Sequence, residues 1–98
     1  MIQISTDEME IILKILKSHA NDCEVLVFGS RIKGTDNNFS DLDLAFICSG
    51  ELGLKRIIGL EIAFEESNLP YRVDVVDYNK SSQIFKNIID NNNQKIFP

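Results

Sequence analysis

The chain is 98 residues long, 44% hydrophobic and 26% charged, with 15 acidic against 10 basic side chains and a formal net charge of −5. That length and composition predict one small folded domain over residues 1–98 and exclude wholesale disorder. The acidic balance argues against a protein that coats nucleic acid or binds a membrane surface, because both need a cationic face.

In chain order, Ser5-Thr6-Asp7-Glu8 reads as a capping box, with Ser5 as N-cap and Glu8 at the third helical position. Ile11, Ile12, Ile15, Leu16 and His19 then recur at helical spacing, and Asn21-Asp22 marks the stop, with His19 placed to favour the C-terminal carbonyls. Glu24 to Phe28 is a short apolar strand of the kind buried on both faces, broken by Gly29-Ser30. Arg31 to Gly34 is expected to form about one helical turn before the polar loop Thr35 to Phe39. Ser40 opens a second strand, Asp41 to Ile47, which Ser49-Gly50 ends. Leu52, Leu54, Ile57, Ile58, Ile62 and Phe64 predict a long helix from about Glu51 to Ser67, weakened slightly by Gly59 and stopped by Asn68-Leu69-Pro70. Tyr71 to Val76 is a third strand, and Ser81 or Ser82 caps a last helix carrying Ile84, Phe85, Ile88 and Ile89. After the Asn91-Asn92-Asn93 turn, Lys95-Ile96-Phe97 suits a sheet edge. The expected architecture is α/β, a small mixed sheet flanked by helices in the order αβ(α)βαβα with a short C-terminal strand.

The N-terminus has no basic region followed by an apolar one, so no secretory signal is expected. The longest apolar run, Leu44 to Cys48, is far short of the roughly 20 residues a spanning helix needs. A soluble, cytoplasmic protein is therefore expected. Cys23 and Cys48 lie 25 positions apart with no CxxC pairing, and the expectation is two reduced, largely buried thiols.

Asp is depleted in strand interiors, yet Asp41 and Asp43 open one strand and Asp74 lies within another. Residues i and i+2 share a face about 6.5 Å apart along a strand. Such a pair, with a third carboxylate from a neighbouring strand, makes an oxygen-rich site suited to Mg²⁺. Unneutralised, the three would raise one another's pKa. Asp77 falls on the opposite face from Asp74 by strand parity and is expected to be solvated. Directly after a buried strand, Gly29-Ser30 presents backbone N–H groups and a hydroxyl suited to phosphate, with Arg31 and Lys33 as mobile positive charge beside it. Arg72, two residues before Asp74, is placed to pair with the carboxylates or a nucleotide, and Tyr71 and Phe97 suit ordinary packing better than base stacking.

Competing motifs fail on the letters. After the two-glycine spacing of Gly29 and Gly34 come Thr35 and Asp36 where a Walker A loop needs Lys and Ser or Thr. A calcium loop starting at Asp36 would need Gly at Asp41 and Glu at Ile47. The stretch Asp41 to Ala45 lacks the Thr or Val that aspartyl-phosphate phosphatases carry at the fifth position, and no Gly-x-Ser-x-Gly is present. Two-metal phosphoryl chemistry remains.

Phe28-Gly29-Ser30, ten intervening residues, Asp41-Leu42-Asp43-Leu44, and then Val73-Asp74-Val75-Val76-Asp77 together resemble the minimal nucleotidyltransferases of the polymerase-β superfamily, across essentially the whole chain. The resemblance implies transfer of AMP from ATP to a hydroxyl, that of a tyrosine, on a partner HEPN-domain ribonuclease toxin, with this chain as antitoxin. It implies that Gly29 and Ser30 hold the β- and γ-phosphates, with Arg31 and Lys33 as candidates for triphosphate contact. By the same resemblance Asp41 and Asp43 ligate two Mg²⁺ ions, while Asp74 completes the catalytic metal and helps deprotonate the acceptor. Small-molecule transferases of the superfamily carry a further helical domain for which 98 residues leave no room, so the acceptor pocket is expected from another chain. The alternative from a different class is a non-catalytic antitoxin that neutralises its partner by contact alone.

Overall fold

The computed structural model describes residues 4–29, 31 and 41–98. Helix α1 (Thr6–His19) begins with the expected capping box: the Ser5 hydroxyl accepts the Glu8 N–H at 3.1 Å, and the Glu8 carboxylate accepts the Ser5 N–H at 3.1 Å. Two of the helix's orphan donors are thereby satisfied. Strand β1 (Glu24–Phe28) follows, then β2 (Leu42–Ile47), helix α2 (Leu54–Glu65) and strand β3 (Val73–Asp77). A 3₁₀ turn (Tyr78–Lys80), helix α3 (Gln83–Asn91) capped by the Ser82 hydroxyl, and strand β4 (Asn93–Phe97) complete the chain. Among the described residues no helix is long and apolar enough to cross a membrane.

The four strands form one sheet in the order β3-β2-β1-β4. β1 runs antiparallel to β2 and β4, whereas β2 and β3 are parallel, joined by α2 as the crossover a parallel pair requires. β1 is central, which explains its near-continuous apolar sequence: Val25 and Val27 face one layer, Leu26 and Phe28 the other. The larger layer packs Ile12 and Leu16 of α1 and Leu60 and Phe64 of α2 against Val25, Val27, Leu42, Leu44, Phe46 and Val73. The smaller layer sets Ile89 of α3 on Leu26, Phe28 and Ala45, with Phe85 edge-on to Phe28 at 5.8 Å between ring centroids. Ile84 and Ile88 on α3, and Leu54, Ile58 and Ile62 on α2, stay exposed.

Three expectations need correction. Cys23 and Cys48 are joined by a disulfide rather than reduced. The register places Glu24 opposite Ile47, so one step further the two cysteines meet across the ladder with Cα atoms 4.1 Å apart. Sequence spacing carries no information about that cross-strand meeting. Asp77 is buried, not solvated: its carboxylate accepts the Leu52 N–H at 3.0 Å and the Asn79 N–H at 3.2 Å. The opposite-face assignment was right, but that face is where the loop after β2 docks. Helix α2 also starts later than Glu51, because Leu52 is buried with its N–H held by Asp77 and Gly53 turns the chain at φ +85°. The expected roles of Ser30 and Lys33, the helical turn from Arg31 to Gly34 and the loop to Ser40 lie outside the described residues, Arg31 excepted.

Candidate active site

The sheet register brings the carboxylates together. Asp43 pairs with Asp74 across the parallel β2–β3 ladder and with Phe28 across the antiparallel one. Directly paired residues share a face. Asp43 and Asp74 therefore stand on the thinner, α3 side of the sheet, at the end where β2 and β3 begin. Asp41, two residues before Asp43, belongs to the same side and sits just ahead of the strand, which continues through the Leu42 N–H bond to the Arg72 carbonyl at 2.9 Å.

Asp43 shows the strain of this arrangement. Its carboxyl is pushed up to about 6, first by burial, then by the charge of Asp74 and a hydrogen bond shared with it, then by the charge of Asp41, against a lowering by Arg72. Arg72 partly neutralises the group: its guanidinium donates to Asp74 at 2.7 Å and lies 3.7 Å from Asp41. That pairing, with Asp74 the dominant cause, holds Arg72 still more firmly protonated. Arg72 was expected on this face, and the structure places it there. Among the described residues, three crowded carboxylates served by one solvent-exposed guanidinium are a donor set of hard oxygens with excess negative charge, which fits divalent cations of the Mg²⁺ type.

Gly29 ends β1 immediately beside this group. Its φ of +83° is a left-handed value that only glycine adopts without strain, and a Cβ at this position would collide with the Asp43 carboxylate. The main chain thus passes against the carboxylate with no side chain between them. The sequence had marked Gly29 for close approach of a phosphate; the structure adds that Asp43 itself needs the space.

Arg31 is not the mobile loop charge expected of it. Only 2% of the residue is exposed, and its guanidinium carbon lies 3.8 Å from the centroid of the Tyr71 ring. Tyr71, buried in turn, donates its hydroxyl proton to Glu8 at 3.0 Å. Burial, followed by the hydrogen bond to the Glu8 carboxylate, pushes the Tyr71 hydroxyl far up, so it stays protonated and donating. Beside the carboxylates a groove of about 630 Å³ opens between α2 and the start of β3, walled by Phe64 and Tyr71 and rimmed by Glu61, Glu65, Arg72 and Asp74. Sequence reasoning did not find the acidic contribution of α2; the only local signal was Glu61 and Glu65 at i and i+4 on one helix face.

Residues 10–98 match the family model described as polymerase beta, nucleotidyltransferase. Over 88 residues, 90% of this chain and 77% of the relative, the sequence is 41% identical to a Haemophilus influenzae protein named "Probable protein adenylyltransferase MntA". Among solved structures, the fold is similar to that of a toxin–antitoxin crystal structure with AMP-PNP, with a TM-score of 0.78 and 23% identity over 91% of this chain and 72% of that one. It is also similar to the complex of a tri-AMPylated Shewanella oneidensis HEPN toxin with MNT antitoxin, with a TM-score of 0.70 and 20% identity over 91% and 68% of the two chains.

Proposed function

The chain belongs to the polymerase beta nucleotidyltransferase family, and on that premise we propose that it transfers AMP from ATP to a tyrosine hydroxyl of a partner HEPN ribonuclease toxin, which it silences as antitoxin. The observation that carries the chemistry is the register pairing of Asp43 with Asp74 directly against the side-chain-free turn at Gly29. The choice of acceptor draws support from the relative named as a protein adenylyltransferase and from the likeness to toxin–antitoxin structures. Exposed Ile84 and Ile88 on α3 suit a protein partner.

In this reading residues 1–98 act as one nucleotidyltransferase domain, and Asp41, Asp43 and Asp74 hold two Mg²⁺ ions. Bound there, the ions neutralise the triphosphate and lower the pKa of an attacking hydroxyl. Gly29 and Ser30 offer backbone N–H groups and a hydroxyl to the β- and γ-phosphates, with Lys33 adding positive charge. Asp74 accepts the proton of the acceptor hydroxyl, kept oriented by its 2.7 Å bond from Arg72. The acceptor oxygen forms its bond to the α-phosphorus as the bond to the bridging oxygen breaks, and pyrophosphate leaves in line. A cytoplasmic setting, where nucleoside triphosphate is at hand, belongs to the same reading; there the Cys23–Cys48 bond meets thiol reductants.

Intact-mass measurement of the co-expressed partner tests this. One or more added AMP units, absent with Asp43→Asn, supports transfer. An inhibited but unmodified partner replaces the enzyme with an antitoxin acting by contact alone.

A further inference from the structure

Resting on the nucleotidyltransferase reading and deepening it, we propose that Tyr71 is a positioning residue for the nucleotide: by stacking against the Arg31 guanidinium it anchors the chain two residues past Gly29, whose backbone abuts the Asp43 carboxylate.

Arg31 is two residues past Gly29, and it is Gly29 whose backbone lies against the Asp43 carboxylate. Arg31 is buried, and an aromatic face 3.8 Å from its guanidinium carbon is a partner whose attraction grows with desolvation. The Tyr71 ring is itself fixed. Its hydroxyl donates at 3.0 Å to the same Glu8 oxygen that accepts the Ser5 N–H, so the ring is tied to the first turn of α1. On its other side, Tyr71 precedes Arg72 in the bend that leads into β3, which begins at Val73 rather than at Tyr71 as expected, and the two side chains go to different surroundings. Tyr71 joins the larger core layer, while Arg72 pairs with Asp74 and Asp41. One dipeptide thus restrains both halves of the site: Arg72 the carboxylates, and Tyr71, through Arg31, the chain just past Gly29. Neither the ring nor Glu8 needs to touch the nucleotide for this effect, which is a matter of preorganisation.

Titration calorimetry of the full chain with AMP-PNP and Mg²⁺ tests the proposal, with thermal unfolding followed in parallel. Tyr71→Phe keeps the ring and is expected to bind within about twofold of wild type. Tyr71→Leu and Arg31→Met are each expected to bind about tenfold more weakly, and the double variant clearly less weakly than the two losses multiplied, because the two variants remove the same stack. In transfer assays the loss is expected in KM for the nucleotide, with kcat changed far less. Fluorinated phenylalanines at position 71 keep the shape of the ring while draining its electron density, so they report even if Tyr71→Leu does not fold. Affinity falling with each added fluorine supports the stack. A flat fluorination series, wild-type affinity in Tyr71→Leu, or additive losses in the double variant overturns it. Absence of nucleotide binding by the wild-type chain instead overturns the functional reading, and this inference with it.

Discussion

The two faces of the sheet are built to different ends. On one, α1 and α2 lie over an uninterrupted apolar layer from β1, β2 and β3, and Asp77 is buried there only because it accepts two N–H groups. On the other, α3 covers only Leu26, Phe28 and Ala45, and the ends of β2 and β3 are left to carboxylates. The thick face can stabilise the domain because it asks nothing of chemistry. The thin face can hold crowded charge because the thick one carries the fold. Asp43, pushed up to about 6, is the measurable sign of that division.

Breaking the thin face should cost chemistry before stability. Asp43→Asn is expected to lower transfer by about 10³-fold or more, equivalent to about 4 kcal/mol of transition-state stabilisation. The circular dichroism spectrum should stay that of wild type and the unfolding midpoint should not fall below it, and an inactive variant that is also unfolded would erase the contrast. Breaking the thick face should do the reverse. Phe46, fully buried in the larger layer, should cost about 3–5 kcal/mol when replaced by Ala, read as a lower denaturant midpoint, while transfer per folded molecule persists.

The Cys23–Cys48 bond closes a loop spanning 25 positions from the start of β1 to the end of β2, the end away from the site. Replacing both cysteines by Ala should lower stability by about 3 kcal/mol, with nucleotide affinity unchanged. A mass shift on alkylation of the unreduced wild-type protein would show the thiols to be free and remove the effect.

The smallest expected effect is in pH. A carboxyl raised from 3.8 to about 6 binds its proton more tightly folded than unfolded, so stability of the metal-free protein falls as pH rises through that interval. Partial solvent access keeps the change small, a shift of about 2–4 °C in unfolding midpoint. Asp43→Asn should abolish the fall, and Mg²⁺ should reverse it in wild type alone. An identical pH profile in both proteins would show that neither burial nor Asp74 raises the Asp43 carboxyl.

Local chemistry made much of this legible. Ser5 and Glu8 cap α1, and Ser82 caps α3, through hydrogen bonds three residues long, which depend on nothing distant. The apolar run of β1 announced a central strand, and Lys95 to Phe97 did pair at the sheet edge. Asp41, Asp43 and Asp74 stood out because carboxylates are misplaced in strands unless something uses them.

What the sequence by itself determined is therefore the set of elements and the identity of the charged residues, since both follow from near-neighbour periodicity and residue chemistry. Tertiary structure alone decided who meets whom. Cys23 found Cys48 through strand register, Asp77 found the Leu52 N–H through a docked loop, and Arg31 found Tyr71 across 40 positions of chain. Each of these contacts is fixed by long-range packing, which the order of letters encodes only collectively.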